Sequence, residues 1–159
     1  MSSVLLQVHS ILRWVILILL VISIIQSFLG WTRRRELWEV DVKLWLFTMI
    51  SAHTTLLIGL ILLLFGRYGI LSSGLPEGVK LMQDKFYRFF WVEHPTGMLI
   101  ATVLITIGRG VVKKQIADPL KYKRAFWYFL VALLIILATI PWPGRDIVGR
   151  SLWNLPSLS

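Results

Sequence analysis

Long apolar runs, separated by short polar connections, dominate the chain. Four such runs cover approximately residues 4–30, 44–66, 89–110 and 124–140, and the last is the shortest. A membrane-spanning helix needs about 20 mostly apolar residues. The pattern therefore predicts an all-α fold, a four-helix transmembrane bundle, in a single integral membrane domain that covers residues 1–159. Short connections between long helices favour an up-down-up-down order.

Composition supports a membrane location. Hydrophobic residues make up 57% of the chain, and the mean hydropathy is +0.74. Both values lie above those of ordinary soluble domains. Cysteine is absent, which excludes disulfides, thiolate metal sites and iron–sulfur clusters.

The basic residues are unevenly distributed among the connections. The net charge is +9, and the first and third connections carry ten lysines and arginines against six in the second connection and the C-terminal segment. The positive-inside rule then places the first and third connections in the cytoplasm and both termini on the outer, periplasmic side. We expect a multi-pass protein of the bacterial cytoplasmic membrane. Because the charges flank apolar spans, they indicate contact with lipid and not with nucleic acid.

Five ionisable residues interrupt the apolar runs. They are His9, Arg13, His53, Glu93 and His94, and they include every histidine of the chain. Ionisable groups at membrane depth are energetically costly, so they are functional candidates.

The helical repeat of about 3.6 residues per turn predicts which of these residues share one face of a helix. His9 and Arg13 share one face of the first helix, while Gly97 and Ala101 follow His94 on one face of the third. A face of small residues either lets two helices approach closely or leaves room for a flat cofactor. Pro95, directly after His94, predicts the start or a kink of the third helix.

The expected depth of each histidine in the membrane suggests which imidazole rings lie close together. His9 and His94 both come early in helices that run in the same direction, and His53 lies near the midplane, so all three are expected in the outer half. Two imidazoles can bind one haem iron from opposite sides. We predict His94 and His9 as the iron ligands, with His53 as the alternate. Arg13 would neutralise a haem propionate, and Glu93 would orient a histidine or carry a proton to quinone.

Other interpretations of these residues stay open. The three histidines could bind zinc or copper in a small metal-binding membrane protein. The polar side chains could instead join helices in a non-catalytic membrane subunit or an assembly protein without haem. Phosphate-binding and hydrolase motifs are absent from the sequence.

Three stretches resemble known proteins: "HSILRW" at His9–Trp14, "ISAHTTLLIGLIL" at Ile50–Leu62 and "EHPTGMLIATVLITIGR" at Glu93–Arg109. They are similar to small four-helix membrane proteins of Bacteroidota that are labelled cytochrome b. The first two also resemble the bacterial di-haem four-helix cytochromes b. The resemblance implies haem b and electron exchange with membrane quinone.

The chain departs from the di-haem family in its fourth helix. That family takes one of four axial histidines from this helix, and "AFWYFLVALLIILATI" contains none. We therefore expect a b-type cytochrome-like electron-transfer protein with one bis-histidine haem b and a spare histidine. The alternatives are a haem completed by a partner subunit and a descendant that has lost haem. Other membrane subunits or further copies of the chain are its expected partners.

Overall fold

Four long helices form the protein, and the computed structural model describes residues 2–150. They are α1 (Ser2–Thr32), α2 (Glu39–Phe65), α3 (Lys85–Lys113) and α4 (Asp118–Thr139). Each of the four is long and apolar enough to cross a membrane. The structure confirms the prediction of an all-helical protein with four helices that are long and apolar enough to span a membrane.

The helices extend beyond the apolar runs that predicted them. Glu39 and Asp41 lie in the first turn of α2, and Asp118 and Pro119 begin α4. Carboxylates in the first turn interact favourably with the helix dipole, and proline fits that turn because its missing N–H would be unpaired there. Polar residues therefore begin these two helices earlier than hydrophobicity alone predicts.

The third helix is continuous through Pro95 but changes its winding before it. It passes from an α-turn (Lys85–Arg88) through a π-turn (Phe89–Glu93) to an α-helix (His94–Gly110) and a final 3₁₀ turn (Val111–Lys113). In the π-turn, the His94 N–H donates to the carbonyl of Phe89. A proline removes a helical hydrogen bond and crowds the carbonyl four residues earlier, which the wider turn accommodates. The start or kink predicted at Pro95 is therefore a π-turn within a continuous helix. The helix itself begins ten residues before Pro95.

The four helices pack as a bundle around a common core. Helix α1 packs against α2 and α4, and α3 packs against the same two helices. Each helix contributes at least one large side chain with no measurable exposure, and these include Leu20, Trp45, Ile105 and Phe129.

Contacts between α1 and α2 define how their ends pair. Gly59, near the end of α2, lies against the His9 ring near the start of α1. The Ser23 and Thr48 hydroxyls, from the later part of α1 and the earlier part of α2, are 2.9 Å apart. The start of each helix therefore lies beside the end of the other.

A buried polar network closes the bundle end opposite to His9. Asp41, only 2% exposed, accepts hydrogen bonds from Arg35 Nη2 and the Tyr122 hydroxyl, each at 2.6 Å. The Tyr122 hydroxyl also accepts the Trp38 N–H at 3.2 Å. The Arg35 guanidinium lies 3.9 Å from the centre of a Trp38 ring. The network attaches the connection between α1 and α2 to the first turns of α4, and the sequence analysis assigned it no role.

The small-residue face of α3 packs against α4. A Cβ atom added to Gly97 would lie 2.5 Å from Thr139 Cγ2, and one added to Gly108 would lie 2.7 Å from Phe129 Cε1. Ala101 between them is 1% exposed. Of the two alternatives for this face, the structure shows close helix approach, because α4 occupies the space beside Gly97 and Gly108.

Replacing Gly108 by alanine should destabilise the bundle, whereas Gly110→Ala should not. Both changes raise helix propensity by about 1 kcal/mol, but a Cβ at Gly110 meets nothing within 4 Å. Overpacking against the buried Phe129 ring costs about 1–3 kcal/mol. Unfolding in mixed micelles, followed by circular dichroism, should show Gly108→Ala as the less stable variant, and equal stability would contradict the packing described here.

Candidate functional site

Two of the three histidines meet at one end of the bundle. The ring centroids of His9 and His94 are 6.3 Å apart, with an angle of 70° between the ring planes. His9 comes from α1 and His94 from the turn of α3 that follows the π-turn. The predicted proximity of these two imidazoles is therefore present in the structure.

The His94 ring is held by the end of α4. Its Nδ1 lies 2.8 Å from the carbonyl oxygen of Thr139. A carbonyl only accepts hydrogen bonds, so Nδ1 carries the proton and, in a neutral imidazole, Nε2 keeps its lone pair. This is the arrangement in which a histidine binds a metal through Nε2.

Two prolines leave the Thr139 carbonyl available to His94. In an α-helix each carbonyl accepts from the N–H four residues later. Proline occupies positions 141 and 143, so the carbonyls of Leu137 and Thr139 have no donor at that spacing. The end of α4 at Thr139, followed by two prolines, thus leaves the acceptor that orients His94.

Side chains pair the other carbonyls at this helix end. Trp142 Nε1 donates to Leu137 at 2.8 Å. Arg145 donates to Ala138 at 2.9 Å and to Ile140 at 3.2 Å. The segment after α4 therefore folds back over the helix end and closes it.

The His9 ring packs against α2. A Cβ added to Gly59 would lie 3.1 Å from His9 Cε1, so a larger residue at position 59 would press on the ring. His9 Nδ1 is buried and has no hydrogen-bond partner among the described residues, while the same imidazole interacts with the Thr55 backbone. A buried ring nitrogen of this kind needs a hydrogen bond to water, or a bond to an ion or a metal, to satisfy it.

The other predicted site residues divide into two groups. Arg13 lies close enough to His9 and His94 to interact with both electrostatically, and its guanidinium carbon is 5.5 Å from a Trp14 ring. Glu93 is exposed and accepts a 2.7 Å hydrogen bond from Arg88 Nε. The structure thus brings Arg13 to the histidine pair, whereas Glu93 pairs with Arg88 at the bundle surface.

His53 does not join the other two histidines. Its side chain is on the exposed face of α2, and Nδ1 lies 2.8 Å from the Met49 carbonyl of the same helix. The structure therefore brings two of the three imidazoles together, because the helical phase of α2 turns His53 outward. Within residues 2–150 no three of His, Cys, Asp and Glu come together as a metal site.

Two residues near the pair were not singled out from the sequence. The Phe89 ring lies 6.0 Å from the His94 ring, and the Arg145 guanidinium carbon lies 5.4 Å from the centre of Phe89. The π-turn places Phe89 beside the residue five positions later. In the sequence, the two prolines after α4 mark the carbonyls that lack a helical donor. No sequence signal connects Arg145 with Phe89.

The separation of the two imidazole rings is close to that of two histidines that bind one metal ion. Two imidazoles on opposite sides of an ion, with metal–nitrogen bonds of about 2 Å, have ring centres about 6 Å apart. The observed separation of 6.3 Å matches this value. Gly97 and Ala101 do not form a groove for a flat ring, since that face packs against α4.

The chain matches no protein-family model, and no curated protein or solved structure shows a significant match to it.

In haem-free protein, replacing His94 by leucine should cost about 1–3 kcal/mol of unfolding free energy. The change leaves the partly buried Thr139 carbonyl without its hydrogen-bond partner. His53→Leu is the matched control, because this imidazole bonds only to its own helix. Unfolding in mixed micelles should separate the two variants, and similar losses for both would contradict the proposed His94–Thr139 contact.

Proposed function

We propose that the protein is a membrane-bound b-type cytochrome that binds one haem b through His9 and His94 and exchanges electrons with membrane quinone. The observation that carries the proposal is the 6.3 Å separation of two imidazoles inside a bundle of membrane-spanning helices. The resemblance of three segments to proteins labelled cytochrome b supports the same conclusion. A larger respiratory complex, with this chain as one subunit, is the proposed setting.

The residues around the pair have distinct tasks in this proposal. Haem b supplies a one-electron redox centre when bound. The Thr139 carbonyl fixes the His94 tautomer and leaves Nε2 as the ligand atom. Arg13 adds positive charge beside the pair and is the counterion for a propionate. In this proposal Glu93, which is exposed and paired with Arg88, carries a proton to quinone.

A second candidate function has its own support in the structure. Both histidines also lie at helix junctions, where His9 contacts α2 at Gly59 and His94 binds α4 at Thr139. Polar contacts between membrane helices stabilise bundles without any cofactor. The alternative is thus a non-catalytic membrane subunit in which the imidazoles connect helices.

A haem spectrum distinguishes the two functions. Protein purified from haem-replete cells should show a Soret band that shifts on reduction with dithionite, and a pyridine haemochrome spectrum of haem b. His9→Ala and His94→Ala should each abolish or strongly alter the spectrum, because each removes an axial ligand. His53→Ala should leave it unchanged, since His53 lies on the exposed face of α2.

Two results would reject the cytochrome proposal or its ligands. A colourless but folded protein would exclude the cytochrome and leave the structural subunit. A normal haem spectrum in His94→Ala would exclude His94 as a ligand. Iron and zinc analysis of the same sample tests for a metal other than haem iron.

We propose an up-down-up-down path through the bacterial cytoplasmic membrane, with both termini outside. The paired ends of α1 and α2 support this order. The basic first and third connections support the orientation, because cytoplasmic loops are enriched in lysine and arginine.

Single cysteines test the orientation directly, since the natural chain has none. A membrane-impermeant maleimide applied to intact cells should label Ser73→Cys, in the second connection, and should not label Lys114→Cys, in the third. Both variants should react after permeabilisation, and the unmodified chain is the control. The reverse labelling would place the termini in the cytoplasm.

A further inference from the structure

A cleft opens at the same end of the bundle as His94. Its volume is about 250 Å³, and it lies between the first turns of α3 and the segment that follows α4. The residues that line it are Lys85, Arg88, Phe89, Glu93, Arg145, Asp146 and Val148.

The charges on the cleft wall do not cancel. Glu93 is paired with Arg88 through a 2.7 Å contact. Lys85 forms no salt bridge within residues 2–150, and Arg145 donates to carbonyls at the end of α4, which do not neutralise it. Asp146 offsets one of these two cations, so the wall keeps a net positive charge.

Nearby residues strengthen both the charge and the apolar character of the cleft. The Arg150 guanidinium carbon lies 5.0 Å from the Phe90 ring and 5.8 Å from the Phe86 ring, on the same helix start. The buried side chains of Phe89 and Val148 supply apolar surface inside the cleft. A cationic rim with an apolar base suits an amphipathic molecule that has an anionic head.

The position of the cleft along the bundle is that of a membrane surface. Its residues belong to the first turns of one membrane-spanning helix and to the segment just beyond the end of another. Lipid phosphates lie at this level of a bilayer. The cleft is also smaller than the roughly 300–1,000 Å³ of pockets for drug-sized ligands, so a single head group fits it better.

We propose that this cleft binds a phosphate group, with Lys85 on one side and Arg145 on the other. Arginine and lysine are the usual phosphate partners in proteins. A phospholipid head group and free inorganic phosphate share this chemistry. The proposal does not depend on the proposed function, although Phe89 joins the cleft to the His94 ring.

Native mass spectrometry of the full-length protein tests the site. After equal addition of phosphatidylglycerol and phosphatidylcholine, the protein should retain the anionic lipid preferentially. Lys85→Gln should lower this retention about fivefold, since one basic residue near an anionic surface contributes an effect of that size. Lys80→Gln is the matched control, because Lys80 lies in the connection just before α3 but not on the cleft wall.

Inorganic phosphate identifies the source of the group. Inorganic phosphate is added to protein in nanodiscs of phosphatidylcholine alone. If the site binds free phosphate, the ³¹P resonance of the added phosphate should broaden with the wild-type protein and should not broaden with Lys85→Gln. If the retention of anionic lipid depends on Lys85 but the ³¹P resonance does not broaden, the group that binds in the cleft is a lipid head group. The proposal is overturned if neither signal depends on Lys85, or if Lys80→Gln lowers both equally.

Discussion

The protein has to pair its polar groups internally, because the hydrocarbon of a bilayer offers them no water. This constraint acts most strongly where helices end. At one end of the bundle, Asp41, Arg35 and Tyr122 form a network that ties a connection to α4. At the other end, the carbonyls of α4 that lack a helical donor are paired by Trp142, His94 and by Arg145.

The candidate site follows from this pairing at the end of α4. The bond from His94 to Thr139 satisfies a carbonyl and, at the same time, leaves Nε2 of the ring for a ligand. A structural contact and a metal-binding geometry are therefore compatible in the same residue. The π-turn before His94 contributes by accommodating Pro95 and by placing Phe89 between the ring and the charged cleft.

Much of this arrangement was predictable from local features of the chain. Apolar length predicted four membrane helices, and the cost of burying charge singled out His9, Arg13 and His94. The outward position of His53, the alternate ligand, was not predictable, because it depends on which face of α2 packs against its neighbours. The partner of Glu93 was also missed, since Arg88 reaches it only through the winding of the π-turn.

The sequence by itself determined the number of membrane helices, the polar residues within them, and the proline positions that free two carbonyls. These properties depend on hydrophobicity and on hydrogen bonds between residues close in the chain. Only the tertiary structure decided that His9 meets His94, that α4 occupies the face of Gly97, and that Asp41 is buried with Tyr122. Such contacts join residues far apart in sequence, and their geometry depends on how all four helices pack together.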